Sequence, residues 1–434
     1  MARVHPFQTN FTAGELTPKL AGQIDFKKYN NGVEIMENMT VFPQGGASRR
    51  YGTRYVAPVK DSSKITRLIP FEFNVEQSYV LEFGDQYIRF YKDDGQIVSG
   101  GSPYEISTNI TEDKLFEIQF TQSADVMYIV HESLPPQKLS RLGHTNWTLS
   151  TVQFENGPFL DKNTGSITFT SSQHTVGTGR TLTASGSSFG KDNNGFHSTD
   201  VGRSILMKDG DGVITGYTSA TVVTWEVKKD LGASTATTEW ALGAWSEHTG
   251  YPKTVSFFEQ RLVFGGSTYY PQTIWASESG FYEKFDTGAG DPADAFIYTI
   301  AANKVNTIRW LAPARDLIVG TAGGEFKVGK PAGEPLQPDN VQITQQTTYG
   351  GYTTQPIQIG NAVLFLQRQR KKIREFSYRF EDDAYLAPDM TLLAEHITGN
   401  GIVDVDYAQE PESIYWAVRE DGTLLGMTYQ REED

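Results

Sequence analysis

The sequence predicts an all-β protein: a β-propeller-like ring with an inserted small β-sandwich or barrel domain and an extended N-terminal arm. Three observations predict it. Glycine, tyrosine and phenylalanine number 42, 21 and 25 in 434 residues, a composition that favours short strands and tight turns over helices. One hairpin pattern recurs along the chain. Its spacing is that of propeller blades.

The hairpins are "SYVLEFGDQYIRFYKDDG" (78–95), "SADVMYIVHESLPPQKLSRLG" (123–143), "EQRLVFGGSTYYPQTIWAS" (259–277), "ARDLIVGTAGGEFKVG" (314–329), "GNAVLFLQRQRKKIREFSY" (360–378) and "PESIYWAVREDGTLLGMTY" (411–429). In each, a polar residue precedes an apolar run, a turn follows, and then comes an alternating strand. Centred on Val80, Met127, Val263, Val319, Leu364 and Tyr415, they step by 47, 136, 56, 45 and 51 residues. Four steps lie near the roughly 40 to 50 residues of a propeller blade. The long step holds one period plus roughly 85 residues, which predicts an inserted domain. The alternative is two unrelated β domains and no ring.

The elements in order are therefore a docking arm over 1–54, the first part of the propeller over 55–159, the insert over 160–247 and the second part over 248–434. The arm contains "LTPKLAGQIDFKKYNNGVEIMENM", where Pro18 suits a first helical turn and Gly32 interrupts, leaving room for two short turns at most. The insert is rich in Ser, Thr and Gly. The run "WALGAW" marks its return, too apolar for a surface.

Composition excludes several functions. With no cysteine there is no disulfide framework, thiolate metal site or cysteine nucleophile. The start lacks the apolar core of a secretory signal, and no run approaches the roughly 18 apolar residues of a membrane span. The net charge of −14 is uneven: residues 1–60 carry eight Lys/Arg and four Asp/Glu, so the other 374 carry −18. A body so acidic is a poor general nucleic-acid binder. No catalytic, cofactor or metal site is read. The seven histidines show no local ligand pair. "KDGDGVITG" lacks the later ligands of a calcium loop and reads as a hairpin turn. There is no nucleophile elbow and no sialidase-type repeat. Asp382 and Asp383 are adjacent, so on a strand they face opposite ways. No enzymatic activity is expected. "RQRKKIR" (368–374) reads as a solvated hairpin tip or, alternatively, an acidic-partner contact.

Motifs at the N-terminus add a resemblance. "NFTAGELTPKLAGQIDFKKYNNGVEIMENMTVFPQGGASRRYGTRYV" resembles the opening of the tail nozzle proteins of short-tailed bacteriophages, also called tail tubular protein B. There, an F-x-x-G-E-L-S/T-P segment leads into P-x-G-G-x-x-R-R-x-G-T. The likeness extends to "DVGRSILMKDGDGVITGY", "GYPKTVSFFEQRLVFGGS" and "PQTIWASESGFYEKF". It implies a structural virion protein at the tail tip, a hexameric tube of propeller subunits. Such a tube attaches to an adaptor ring, carries tail fibres or tailspikes nearby and conducts double-stranded DNA during ejection. Related chains continue past "DGTLLGMTYQRE", so the source of the last blade's outer strands is left open.

The resemblance marks Phe11, Gly14, Glu15, Leu16, Gly45, Gly46, Arg49, Arg50 and Arg54 as partner-interface residues. A turn at Gly45–Gly46 would deliver the arginines to an acidic neighbour; alternatively they are half-exposed strand residues. A conduit also needs an unadhesive wall, because lumenal Lys or Arg would pair with phosphate. The acidic, turn-rich stretches "GAGDPADAF" and "KPAGEPLQPDN", with Asp291, Asp294 and Glu334, are candidates for lumen loops with few contacts to break, or else for outer connections. The contrasting function is a carbohydrate-binding or depolymerising propeller using Trp225, Trp240 and Trp245 as sugar platforms.

Overall fold

Alternation of inward and outward side chains builds the first sheet. In Arg67–Asn74 the residues Arg67, Ile69 and Phe71 are buried while Leu68, Pro70 and Glu72 are exposed, the period-two pattern of a strand with one covered face. Strands deeper in the sheets are largely apolar: Arg261–Gly265, Leu317–Thr321 and Ala362–Leu366 are buried at every position, Arg261 and Thr321 being the polar members. Such runs are what strands covered on both faces require.

A computed structural model describes residues 7–74, 77–302, 306–331 and 333–430. The fold is all-β and of the propeller kind, with six antiparallel meanders in chain order. They are Arg67–Asn74, Gln77–Gly84, Tyr87–Lys92, Glu105–Ser107; Gln119–Ser123, Val126–His131, Leu134–Gly143, Asn146–Thr151; Thr254–Phe258, Arg261–Gly265, Thr273–Ala276, Phe296–Thr299; Ile308–Pro313, Leu317–Thr321, Gly324–Gly329, Gln342–Thr347; Ile357–Ile359, Ala362–Leu366, Ile373–Arg379, Ala384–Leu386; and Ile402–Ala408, Ile414–Arg419, Leu424–Thr428. Five of the six hairpins read from the sequence are the central strands of their meanders, and the sixth forms the last two strands of the three-stranded final one. Helix, among the described residues, is limited to four single 3₁₀ turns. Two of these, Pro18–Leu20 and Tyr29–Asn31, fall in the arm, with Pro18 in the first turn as expected.

The chain divides into two compact units, Pro58–Gln345 and Met1–Ala57 with Gln346–Asp434. Within Pro58–Gln345 the sheets pack face to face in succession. The first and second share a core of Phe71, Phe83, Phe90, Met127 and Trp147. The second and third share Tyr128, Val130, Phe264 and Trp275, and the third and fourth share Val263, Ile274, Val319 and Phe326. The first strands of the second, third and fourth meanders lie side by side. Gln119 Nε2 there donates to the Arg309 carbonyl at 2.6 Å.

The insert is a half-barrel made from one sheet. Its spatial order is Phe169–Ser171, Gly177–Ala184, Val222–Val227, Gly210–Ser219, Ser204–Met207, Trp240–Leu242. It encloses its own core of Phe169, Phe196, Ile214 and Trp225. "KDGDG" is the turn between Ser204–Met207 and Gly210–Ser219. The two crossings between insert and propeller are stitched together: Leu160 N–H donates to Leu242 at 2.8 Å and Ala244 N–H to Pro158 at 2.8 Å.

In the other unit, the last meander has three strands, and the hairpin Met39–Val41/Ala47–Arg49 rests beside Leu424–Thr428. Thr428 Oγ1 donates to the Val41 carbonyl at 3.0 Å. The neighbour of the open edge is thus a segment of the same chain.

Candidate functional site

The N-terminal segment is ordered by the residues that carry the resemblance. Gly14 sits at φ +63°, and Gly14–Glu15 pairs in parallel with Gly32–Val33. Leu16 is buried against Gly32, where an added Cβ would stand 2.3 Å from Leu16 Cδ1; the close approach explains the glycine. Glu15 accepts from Met36 N–H at 2.7 Å and pairs with His396 Nε2 at 2.9 Å. Thr17 N–H donates to Leu393 at 2.7 Å, and Lys19 forms an ion pair with Glu395. These residues dock on the C-terminal part of their own chain.

Phe11, half-buried, donates its N–H to the Gly45 carbonyl at 2.7 Å. Gly45 is buried at φ +101° and closes the hairpin turn, whereas Gly46 has ordinary backbone. The turn thus needs one left-handed glycine. Beyond it the three arginines part company. Arg49 is an exposed strand end; Arg50 is half-buried, donating to Asn38 Oδ1 at 2.9 Å and to the Tyr51 carbonyl at 3.0 Å; Arg54 is exposed. Large apolar side chains of the same segment are also exposed: Phe7 (93%), Ile24 (75%), Ile35, Tyr51 and Tyr55 (77%).

The two acidic loops are tied down, contrary to the expectation of few contacts. Buried Arg261 reaches the carbonyls of Ser277 (2.6 Å), Pro292 (2.6 Å) and Asp294 (2.7 Å). The Asp294 carboxylate turns inward to accept from Gly290 and Asp291 N–H at 3.0 and 2.8 Å. It is a loop former, leaving Asp291 as the exposed acid. In the second loop Leu336 is buried and its N–H donates to Glu259 at 2.8 Å, while exposed Glu334 accepts from Asn340 at 3.2 Å. Pro and Gly punctuation signalled turns correctly but carried no sign of the arginine beneath.

The tryptophan platforms are corrected. Trp225, Trp240 and Trp245 are buried. Trp240 stacks on Phe169 with centroids 4.0 Å apart, and Trp245 packs edge-on against Phe154, Phe264 and Trp275. A ring covered on both faces offers no stacking surface to a sugar. The basic run is also engaged internally. Arg374 lies 3.4 Å over the Tyr349 ring, Arg370 pairs with Glu420 at 2.9 Å, and Lys372 pairs with Asp389 at 2.6 Å. Asp382 and Asp383 occupy an exposed turn.

One constellation escaped the sequence reading. Asp192, His197 and His248 bring one ligand atom each within 4.8 Å of one another. The histidines lie 51 positions apart, so only the stitched root of the insert unites them.

No protein-family model and no curated protein sequence matches this chain. Solved structures overlap it loosely. They include BamB from Moraxella catarrhalis, at 9% identity over 82% of this chain and 80% of that one, TM-score 0.36. Hsv2 of Kluyveromyces lactis follows at 9% over 84% and 98%, TM-score 0.33. BBS1N, solved in complex with ARL6DN, matches at 10% over 84% and 92%, TM-score 0.35. Scores this low carry no argument, and the assignment of blades rests on the sheets themselves. Among the described residues no helix is long and apolar enough to cross a membrane.

Proposed function

We propose that this chain is a structural subunit of a DNA conduit, the tail nozzle of a short-tailed phage, assembled from several copies on an adaptor ring. The observation that carries the reading is the N-terminal segment. Its motif residues (Gly14, Glu15, Leu16, Gly45) fix it in place, while Arg49, Tyr51, Tyr55 and Ile24 stand exposed. Aromatic and arginine side chains of this kind are enriched where subunits meet.

Two further points support it. Inside Pro58–Gln345 the inner strands approach within hydrogen-bonding distance, 2.6 Å between Gln119 and Arg309. A duplex whose major groove alone is about 12 Å wide has no room there. The proposed passage for DNA is accordingly one formed between copies. The acidic balance suits such a passage: at −18 outside the first 60 residues, six copies carry on the order of −100, which repels a polyanion. The reading assigns no catalytic group.

Imaging and sedimentation of the untagged full-length protein test it. The expected result is a closed ring of several copies with a central opening, and Arg49→Glu with Tyr51→Ser leaving folded single copies. A wild-type protein that stays single at every concentration, with or without polyanion, overturns the proposal.

A further inference from the structure

The root of the insert holds two imidazoles and a carboxylate that no part of the conduit reading uses. The His197 and His248 rings stack with centroids 3.7 Å apart and planes 13° apart. Both Nε2 atoms face one oxygen, Asp192 Oδ2, at 2.9 Å from His197 and 3.7 Å from His248. The His197 Nε2 atom is buried and makes no hydrogen bond, since the carboxylate lies off its line. A buried imidazole nitrogen left in this way costs free energy unless something else takes its lone pair or proton.

Three donors about 2.0 to 2.2 Å from a common cation stand roughly 3 to 4 Å from one another. The two spacings to Asp192 Oδ2, 2.9 and 3.7 Å, lie close to that range, and all three ligand atoms fall within 4.8 Å of one another. Two imidazole nitrogens and one carboxylate oxygen form a donor set for a borderline divalent transition cation, with remaining positions left to water.

The surroundings hold the ligands in place. Asp200, fully buried, accepts from the His197 N–H at 2.9 Å, from Arg203 at 2.9 Å and from Ser246 Oγ at 2.9 Å. One carboxylate therefore ties the backbone of the first histidine to a residue two before the second. The His248 N–H adds a bond to the Thr199 carbonyl at 3.2 Å. Tyr269 packs edge-on against the His248 ring at 5.0 Å. The Asp192 turn is closed by Asn194, whose N–H donates to Oδ1 at 3.3 Å. The nearby cation Lys191 is held over the Tyr270 ring at 4.7 Å.

We propose that Asp192, His197 and His248 bind one Zn²⁺-like cation that staples the insert to the propeller. Asp192 and His197 belong to the insert, and His248 to the segment leading into Thr254–Phe258. The cation thus joins a loop of the insert to the segment that leads into the first strand of the third meander, and it stands independently of the proposed assembly.

The test uses the untagged full-length chain, freed of metal with a chelator and titrated with Co²⁺ and Zn²⁺. The expected result is one Co²⁺ per chain with the visible absorption of histidine ligation, displaced by Zn²⁺, and a melting temperature raised by Zn²⁺ in the wild type alone. His197→Ala and His248→Ala should each weaken binding by more than the roughly 10- to 100-fold that loss of an outer-shell partner costs. Asp192→Asn, which preserves shape, should weaken it while leaving the metal-free melting temperature unchanged, which separates loss of a ligand from loss of fold. Absence of stoichiometric binding, or equal binding by wild type and the three variants, overturns the assignment.

Discussion

Replacing Arg261 with Met should release the acidic loop at 288–294 without unfolding the propeller. Three strong bonds run from the guanidinium to the carbonyls of Ser277, Pro292 and Asp294, at 2.6, 2.6 and 2.7 Å. Charge-assisted bonds of this kind contribute about 1.5 to 3 kcal/mol each, or roughly 5 to 9 kcal/mol for the set. Against this stands the cost of burying the cation, several kcal/mol. That cost holds its pKa below the ordinary value despite Asp294 and Glu278 nearby. Methionine loses both, and the net destabilisation of the loop is about 3 kcal/mol, a factor of roughly 100 in its open population. Hydrogen exchange reads that population at two amides. Ser279 N–H is bonded to the Ala293 carbonyl at 2.9 Å and Ala295 N–H to Asp286 at 2.9 Å. Both should exchange about 100-fold faster in Arg261→Met, and Arg261→Lys, with fewer donors, should fall between. Exchange within about threefold of the wild type would refute the anchor and with it the fixed loop.

Gly320→Ala should be far more damaging than its single methyl suggests, because the new Cβ would stand 2.0 Å from the fully buried Trp310 ring; a loss of about 3 kcal/mol or more in urea unfolding is expected. Asp291→Lys with Glu334→Lys should leave stability unchanged, since both side chains are exposed. If these loops line the conduit, the pair should slow DNA release most at low salt, where phosphate pairing is least screened; release unaffected at every ionic strength places the loops outside. Asp389 supplies the pH test: burial raises its carboxyl, but hydrogen bonds from Lys372 and Thr391 outweigh it and leave the group below its ordinary value. A depressed pKa contributes stability above the unfolded value that is lost as pH falls, so the advantage of wild type over Asp389→Asn should shrink between about pH 6 and about pH 3 in thermal unfolding.

What the sequence disclosed follows from what each strand buries. The central hairpins were legible because Leu317–Thr321 and Ala362–Leu366 are apolar at nearly every position. The edge strands Glu105–Ser107 and Ile357–Ile359 are three residues long and largely uncovered, so no period marks them. Trp225 and Trp240 misled because a tryptophan that fills a half-barrel and one that stacks on a sugar look alike in one dimension. Arg261 gave no sign of its role: it is a single charged residue within "EQRLVF", yet it is buried and gathers carbonyls. The cluster of Asp192, His197 and His248 left no local trace, because its geometry is created by the closure of a sheet and not by residue spacing. The N-terminal motif was legible as a motif, but its first task proved to be internal, holding Glu15 to His396 and Leu16 under Gly32.

The hairpin beside the last strand has a consequence in time. Val41 leaves the ribosome early, but the Thr428 hydroxyl that reaches it is 387 positions later. At about 5 to 20 residues per second, that gap is roughly 20 to 80 s. Throughout it the hairpin has no bed to lie on, and the surface bearing Arg49 and Tyr51 has no fixed form. Only a chain translated through residue 428 can present it. Under the proposed assembly, truncated products of interrupted synthesis would lack this bed and be kept from copolymerising with finished subunits, so that translation itself would time assembly.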